Sequence, residues 1–164
     1  MSGSSADSDT RMSAAQHEMV ELFMHFGHNL GLPKSVGAIY GLLYATAEPL
    51  SLDAIVTILQ ISKGSASQGL RFLQNLNAVQ VVYLPGQRRD HFTAERRLRK
   101  LANGFLRERV EPHLEHGADR LDRIGDAIDP DDPNAVHLKK NLERLRNWYR
   151  KSRQILPLVR NVIG

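Results

Sequence analysis

The stretch LSLDAIVTILQISKGSASQGLRFLQNLNAVQVVYLPGQRRDHFT, residues 50–93, decides the fold. Ser51 is a helix N-cap residue, whose side-chain oxygen can accept from an otherwise orphaned backbone N–H. Asp53 follows in the first turn, where the helix dipole favours negative charge. Leu52, Ile55, Val56 and Leu59 then recur at helical spacing and form one apolar stripe. Gln60-Ile61-Ser62 has the length of a helix-helix turn, and Ser62 can cap a second helix over residues 63–75. At about 100° per residue, Ala66, Leu70 and Leu73 share one narrow arc that can lock this helix to a core. Lys63, Ser67, Gln68, Arg71 and Asn75 fall on the other side. These side-chain types donate to phosphates or read base edges. Gly64 and Gly69 each cost about 1 kcal/mol relative to Ala inside a helix. A glycine at position 64 lets the helix N-terminus approach another surface, where a phosphate would meet free N–H groups.

Beyond the helix pair, Val79 to Leu84 is a β-branched and aromatic run that reads as a strand. Pro85-Gly86 signals a turn, with Gly supplying the positive φ. Gln87, Arg88 and Arg89 come at or just past the hairpin tip, and His91-Phe92-Thr93 forms the return strand. Two arginines at a hairpin tip suit minor-groove or phosphate contact, and Asp90 can orient one guanidinium through a bidentate pair. Helix, turn, helix, strand, turn, strand is the order of a winged helix-turn-helix, a mainly α fold with a two-stranded β-wing. A pair of amphipathic helices and a solvated charged turn is the plain alternative.

The same residues resemble a family. Ser62-Lys63-Gly64, Ser67, Leu70-Arg71-x-Leu73, Val81, Pro85-Gly86 and Arg88-Arg89-Asp90-x-Phe92 are similar to the GbsR-like branch of the MarR-type winged helix-turn-helix regulators. The likeness covers roughly residues 15–110. It implies a dimeric DNA-binding repressor of bacteria or archaea, with no effector carried over. The DNA-binding residues expected are Ser62, Lys63, Gly64, Ser67, Gln68, Arg71, Asn75, Gln87, Arg88 and Arg89.

On the flanks, residues 13–30 read as a helix with Met19, Leu22, Phe23, Phe26 and Leu30 on an apolar face. A second helix from residue 35 turns Val36, Ile39, Tyr40, Leu43 and Tyr44 inward, until Glu48-Pro49 breaks it. Residues 94–128 form a helical stretch in which Pro112 should force a kink or break. Residues 129–134, DPDDPN, are a loop. The last helix is expected over residues 135–156. Its Leu138, Leu142, Leu145, Tyr149, Ser152 and Leu156 make a heptad-like seam that fits an intrachain antiparallel hairpin or an exchange between two chains. The expected organisation is a disordered tail over residues 1–12 and a DNA-binding domain with its N-terminal helix over 13–111. A C-terminal helical dimerisation or regulatory region follows over 112–164.

Composition narrows the function. The 164 residues contain no cysteine, which removes disulfides, thiolate zinc sites and thiol catalysis and fits a cytoplasmic protein. The Ser- and Asp-rich start has no basic and apolar signal-peptide pattern. No stretch approaches the roughly 18 apolar residues of a membrane span. Charge is uneven: residues 86–111 carry eight Lys/Arg against four acids, 115–132 carry seven acids against two arginines, and 139–160 carry eight bases against one acid. Such basic stripes attract nucleic acid, although the last two segments can equally neutralise each other. His113 and His116, and likewise His25 and His28, stand three apart without a third strong ligand, so solvated histidines are expected and no metal. No phosphate-binding loop, dinucleotide fingerprint or nucleophile elbow is present, and no cofactor is expected.

The reading is therefore a sequence-specific transcriptional regulator and not an enzyme. It would be a homodimeric repressor that binds double-stranded DNA and responds to a small molecule or partner. A winged-helix protein-interaction module is the alternative, with a small metal-dependent helical enzyme behind it.

Overall fold

A computed structural model of the chain describes residues 12–163. The expected tail lies outside the described residues except for Met12, which packs against the core. Helix α1 (Ala14–Asn29) opens with a capping box, in which the Ser13 Oγ accepts from the Gln16 N–H and the Gln16 side chain accepts from the Ser13 N–H. Gly31, at φ +76°, turns the chain into helix α2 (Lys34–Ala45). Residues Val36 to Leu43 of α2 are all buried, so this helix is the hydrophobic axle of the domain. It lies close to α1. A Cβ on Gly37 would collide with the Phe23 carbonyl oxygen, and one on Gly41 would sit 2.8 Å from the Val20 Cα.

Strand β1 (Leu50–Ser51), helix α3 (Leu52–Leu59), helix α4 (Lys63–Asn75), strand β2 (Val79–Val82) and strand β3 (His91–Ala94) follow in order. Helix α3 ends with Gln60 in the left-handed region at φ 52°. Helix α4 has the bounds read from the sequence, and Ser62 caps it by accepting from the Ser65 N–H. Its exit is set by Asn77 at φ 55°, with the Ala78 N–H returning to the Leu73 carbonyl.

The wing has its two expected strands, β2 and β3, and the short β1 adds a third, giving an antiparallel sheet in the order β1-β3-β2. Leu50 and Ser51 pair with Phe92 and His91, while Val79 and Val82 pair with Ala94 and His91. Two residues give no strand signal of their own, and β1 exists because β3 offers it a free edge. Ile39, Leu42, Leu43, Ile55 and Leu76 are the largest fully buried side chains, and they tie α2 to the helix pair. Gly69 of α4 is buried against α2, where a Cβ would come within 2.6 Å of the Ile39 Cδ1.

The chain then continues as helix α5 (Leu98–Phe105), a π-turn (Leu106–Val110) and helix α6 (Glu111–Asp126). Ala94, expected to start this helix, belongs to β3. Pro112 does not break the helix. It occupies the first turn of α6, where its missing N–H is no loss, and the π-turn absorbs the mismatch, with the Glu111 N–H bonding to Leu106 O five residues back. Helix α7 (Ala135–Ile163) also runs past its expected end, through Pro157. Residues 153–155 and 157 are exposed, so solvent can satisfy the carbonyl that the proline leaves unbonded.

The chain divides into two compact units after Leu101, ten residues before the expected boundary. In the second unit α6 and α7 form an antiparallel hairpin. Tyr149 packs over Gly117 and its hydroxyl donates to the His113 carbonyl at 2.6 Å, while Leu142 lies against Gly125. Arg146 pairs with Asp122 and Arg160 with Glu111, each at 3.1 Å. This hairpin uses only part of the expected seam: Leu142 is buried, whereas Leu138 and Leu145 remain exposed.

Candidate nucleic-acid interface

The two faces of α4 differ as their spacing requires. Ala66, Gly69, Leu70 and Leu73 are buried. On the opposite side, Lys63, Gly64, Gln68, Arg71 and Asn75 are exposed and Ser67 is half-buried, within an arc of about 140° at helical periodicity. Arg71, Gln68 and Asn75 have no hydrogen-bond or ion-pair partner among the described residues, so their polar ends are available to a ligand. Ser62 is different. Its oxygen serves the helix cap and its hydroxyl donates to the Ser65 Oγ at 2.9 Å, so its first duty is local.

The wing is built as read. The Gln87 N–H donates to the Leu84 carbonyl at 3.1 Å around Pro85 and Gly86, the latter at φ +78°. Gln87, Arg88 and Arg89 are exposed beyond that turn. Asp90 does not hold either arginine, contrary to expectation. The Arg89 Nη1 instead donates to the Asp53 Oδ2 at 2.6 Å, and the Lys63 Nζ donates to the Asp53 Oδ1 at 3.2 Å. One carboxylate in the first turn of α3 thus gathers the first residue of α4 and a residue of the wing. Asp53 therefore does more than complement the dipole of α3.

Several cations of the basic stretch have intramolecular duties. Arg97 forks onto Glu95 through its Nε at 2.9 Å and its Nη2 at 2.8 Å, and Lys100 stands 3.6 Å from the same carboxylate. These hydrogen bonds hold the Glu95 carboxyl down at about 2, against an ordinary value of 4.5, although its side chain is only 7% exposed. Arg96 donates to the Thr46 carbonyl at 2.9 Å. Tyr40 donates to the Glu95 carbonyl at 2.7 Å, and burial, then Tyr44 and the Glu95 charge, push its phenol upward. The stripe from 86 to 111 is therefore partly a lock on the exit from β3. Sequence reasoning missed this because a buried glutamate has no signal beyond its basic neighbours.

Among the described residues, no three His, Cys, Asp or Glu side chains converge to hold a metal ion. His116 Nδ1 lies 2.7 Å from the Pro112 carbonyl, and His25 pairs with Glu21 at 3.3 Å. No helix among these residues is long and apolar enough to cross a membrane.

A core-anchored second helix with a polar outer face, beside a two-strand wing, defines a winged helix-turn-helix module. Known proteins agree with that class. The chain is similar to the HTH-type transcriptional repressor GbsR of Bacillus subtilis (strain 168), 35% identical over 85 residues, which cover 52% of this chain and 47% of that protein. It is also similar to the HTH-type transcriptional repressor OpcR of the same organism, 27% identical over 81 residues, covering 49% and 44%. The chain thus spans about half the length of the curated relatives it matches. A solved transcriptional regulator superimposes with a TM-score of 0.59 at 20% identity, covering 88% of this chain and 97% of that one, and so shares the fold. No family model matches the chain. The GbsR-like resemblance carried by Ser62 to Phe92 is borne out by these relatives.

Proposed function

We propose that the protein is a sequence-specific DNA-binding transcriptional repressor. The observation that carries this reading is the exposed polar face of α4, presented by a buried Ala66-Gly69-Leu70-Leu73 anchor, on which Gln68, Arg71 and Asn75 have no hydrogen-bond or ion-pair partner among the described residues. Arg71 suits guanine, and Gln68 and Asn75 suit adenine. Ser67 and the backbone at Gly64 would meet phosphate, with Ser62 holding the helix end that carries them. Lys63, Gln87, Arg88 and Arg89 supply cations and a donor on either side. GbsR and OpcR are repressors by name, which supports the same sign of regulation here. The effector would be a small molecule or a partner protein.

A homodimer is part of this reading. One α4 covers only a few base pairs, too few to single out a site among genomic competitors. Two apolar stripes are available for a second copy. On α1, Met19, Leu22 and Phe26, with Leu30 at its C-cap, are 40–65% exposed. On α7, Leu145, Trp148, Ile155, Val159 and Val162 are exposed and, with half-buried Ser152, recur at spacings of 3, 4, 3, 4 and 3.

The test is selection of bound duplexes from a random-sequence pool, followed by affinity measurement with variants. Arg71→Ala and Gln68→Ala should each relax preference at particular base pairs, by about 1–3 kcal/mol where a bidentate pair to a base is removed. If both variants retain the parent's sequence preference, α4 is not the reader. A chain that binds no duplex even at low salt would make the fold a protein-interaction module.

A further inference from the structure

We propose that Asp53 is a specificity-determining positioning residue, holding Lys63 and Arg89 at a fixed separation so that they meet DNA phosphates only in the seated register. The inference rests on the DNA-binding reading above and concerns the same face. Asp53 belongs to α3, Lys63 opens α4, and Arg89 stands on the wing. The carboxylate lies 10 and 36 residues away from its two partners in sequence. Each oxygen serves one cation, at 3.2 Å and 2.6 Å.

Charge and exposure define what this arrangement can do. The side chains of Lys63 and Arg89 are 70% and 74% exposed, and that of Asp53 is 48% exposed, so each ion pair alone is weak. A strong stabilising role is therefore the poorer explanation. Donor arithmetic leaves both cations competent while held: an ammonium has three N–H groups and a guanidinium five, and each gives one hydrogen bond to Asp53 here. The trio thus presents a net charge of +1 in place of two independent cations. On random DNA, free long side chains would each find a phosphate in many registers. Tethered ones reach phosphates only where the groove sets α4 and the wing at matching places. The tether therefore weakens non-specific complexes more than the specific one.

Asp53→Asn removes the charge while keeping a polar residue in the first turn of α3, and Asp53→Ala removes both oxygens. Affinity is measured for the duplex selected by the parent protein and for a random duplex, over a range of salt. Both variants should bind random DNA more tightly, by about threefold to tenfold, the size that two exposed ion pairs carry. The selected duplex should gain less or lose, so that the specificity ratio falls. In a Lys63→Ala, Arg89→Ala background, the Asp53 substitutions should leave that ratio unchanged. An unaltered ratio in the single variants overturns the proposal, and so does an equal gain on both duplexes, which would make Asp53 a mere point charge. A change in ratio that persists without Lys63 and Arg89 overturns it too. A parent that binds no duplex fails at the earlier step, the DNA-binding function itself.

Discussion

Glu95 is a buried carboxylate just beyond β3, kept ionised by the Arg97 fork and by Lys100. Its effect on stability has a definite sign. The folded carboxyl titrates near 2 and the unfolded one near 4.5, so the unfolded chain takes up the proton first as pH falls. The stabilisation is complete above about 4.5 and disappears between there and about 2. Glu95→Gln should be less stable than the parent at neutral pH and should lose less on acidification through that window. Urea midpoints measured across that acid range check this, and parallel pH profiles for the two proteins would show that the Arg97 fork does not set acid stability. At this scale the sequence was only half legible. Arg71, Gln68 and Asn75 could be placed because a helix face follows from spacing alone. The partners of Arg89 and Glu95 could not, because proximity in sequence favoured Asp90 over Asp53, which lies 36 residues away.

Elements were more legible where a local signal ends them. Helix α4 was bounded correctly because Ser62 caps its start and its apolar stripe stops at Leu73, just before Asn77 turns the chain. Helix α7 runs past the end of its heptad seam at Leu156 and through Pro157, because the spacing of apolar residues marks where a seam stops and not where the backbone bonding does. The wing is an element whose shape was legible and whose chemistry is testable. Arg88 has no partner among the described residues, whereas Arg89 is held by Asp53. Replacing both with Ala should weaken binding, through Arg88 on every duplex and through Arg89 mainly on the selected one, and flatten the log–log salt dependence by about 0.9 for each phosphate no longer neutralised. A salt titration of parent and variant reads the slope directly, and an unchanged slope would leave the hairpin as a structural turn.

At the scale of the whole molecule, what remains is how the apolar surface outside the winged core is covered. Only part of the seam along α7 is used within the chain, and the helix carries two stripes. The α6 hairpin takes Leu142 and Tyr149, which leaves the stripe of Leu145, Trp148, Ile155, Val159 and Val162. Sequence spacing could not separate them, because adjacent heptad positions serve an intrachain and an interchain partner equally well. Helix α1 repeats the pattern: Val20 and Gly27 are buried, and Leu22 and Phe26 stay 65% and 58% exposed. A soluble monomer rarely leaves such rows uncovered, and a two-fold dimer would also set two copies of α4 about 34–36 Å apart, or a multiple of that, to read an inverted repeat. Sedimentation at micromolar concentration should give a dimer for the parent. Trp148→Glu with Ile155→Glu, and separately Leu22→Glu with Phe26→Glu, place charges on exposed positions that the folded monomer tolerates. Each pair that lies in the interface should shift the protein to monomer and weaken binding to the selected duplex, while helical content by circular dichroism stays unchanged. A monomeric parent refutes the dimer. A dimer that survives the α7 pair and yields to the α1 pair assigns the interface to α1, and the reverse result assigns it to α7.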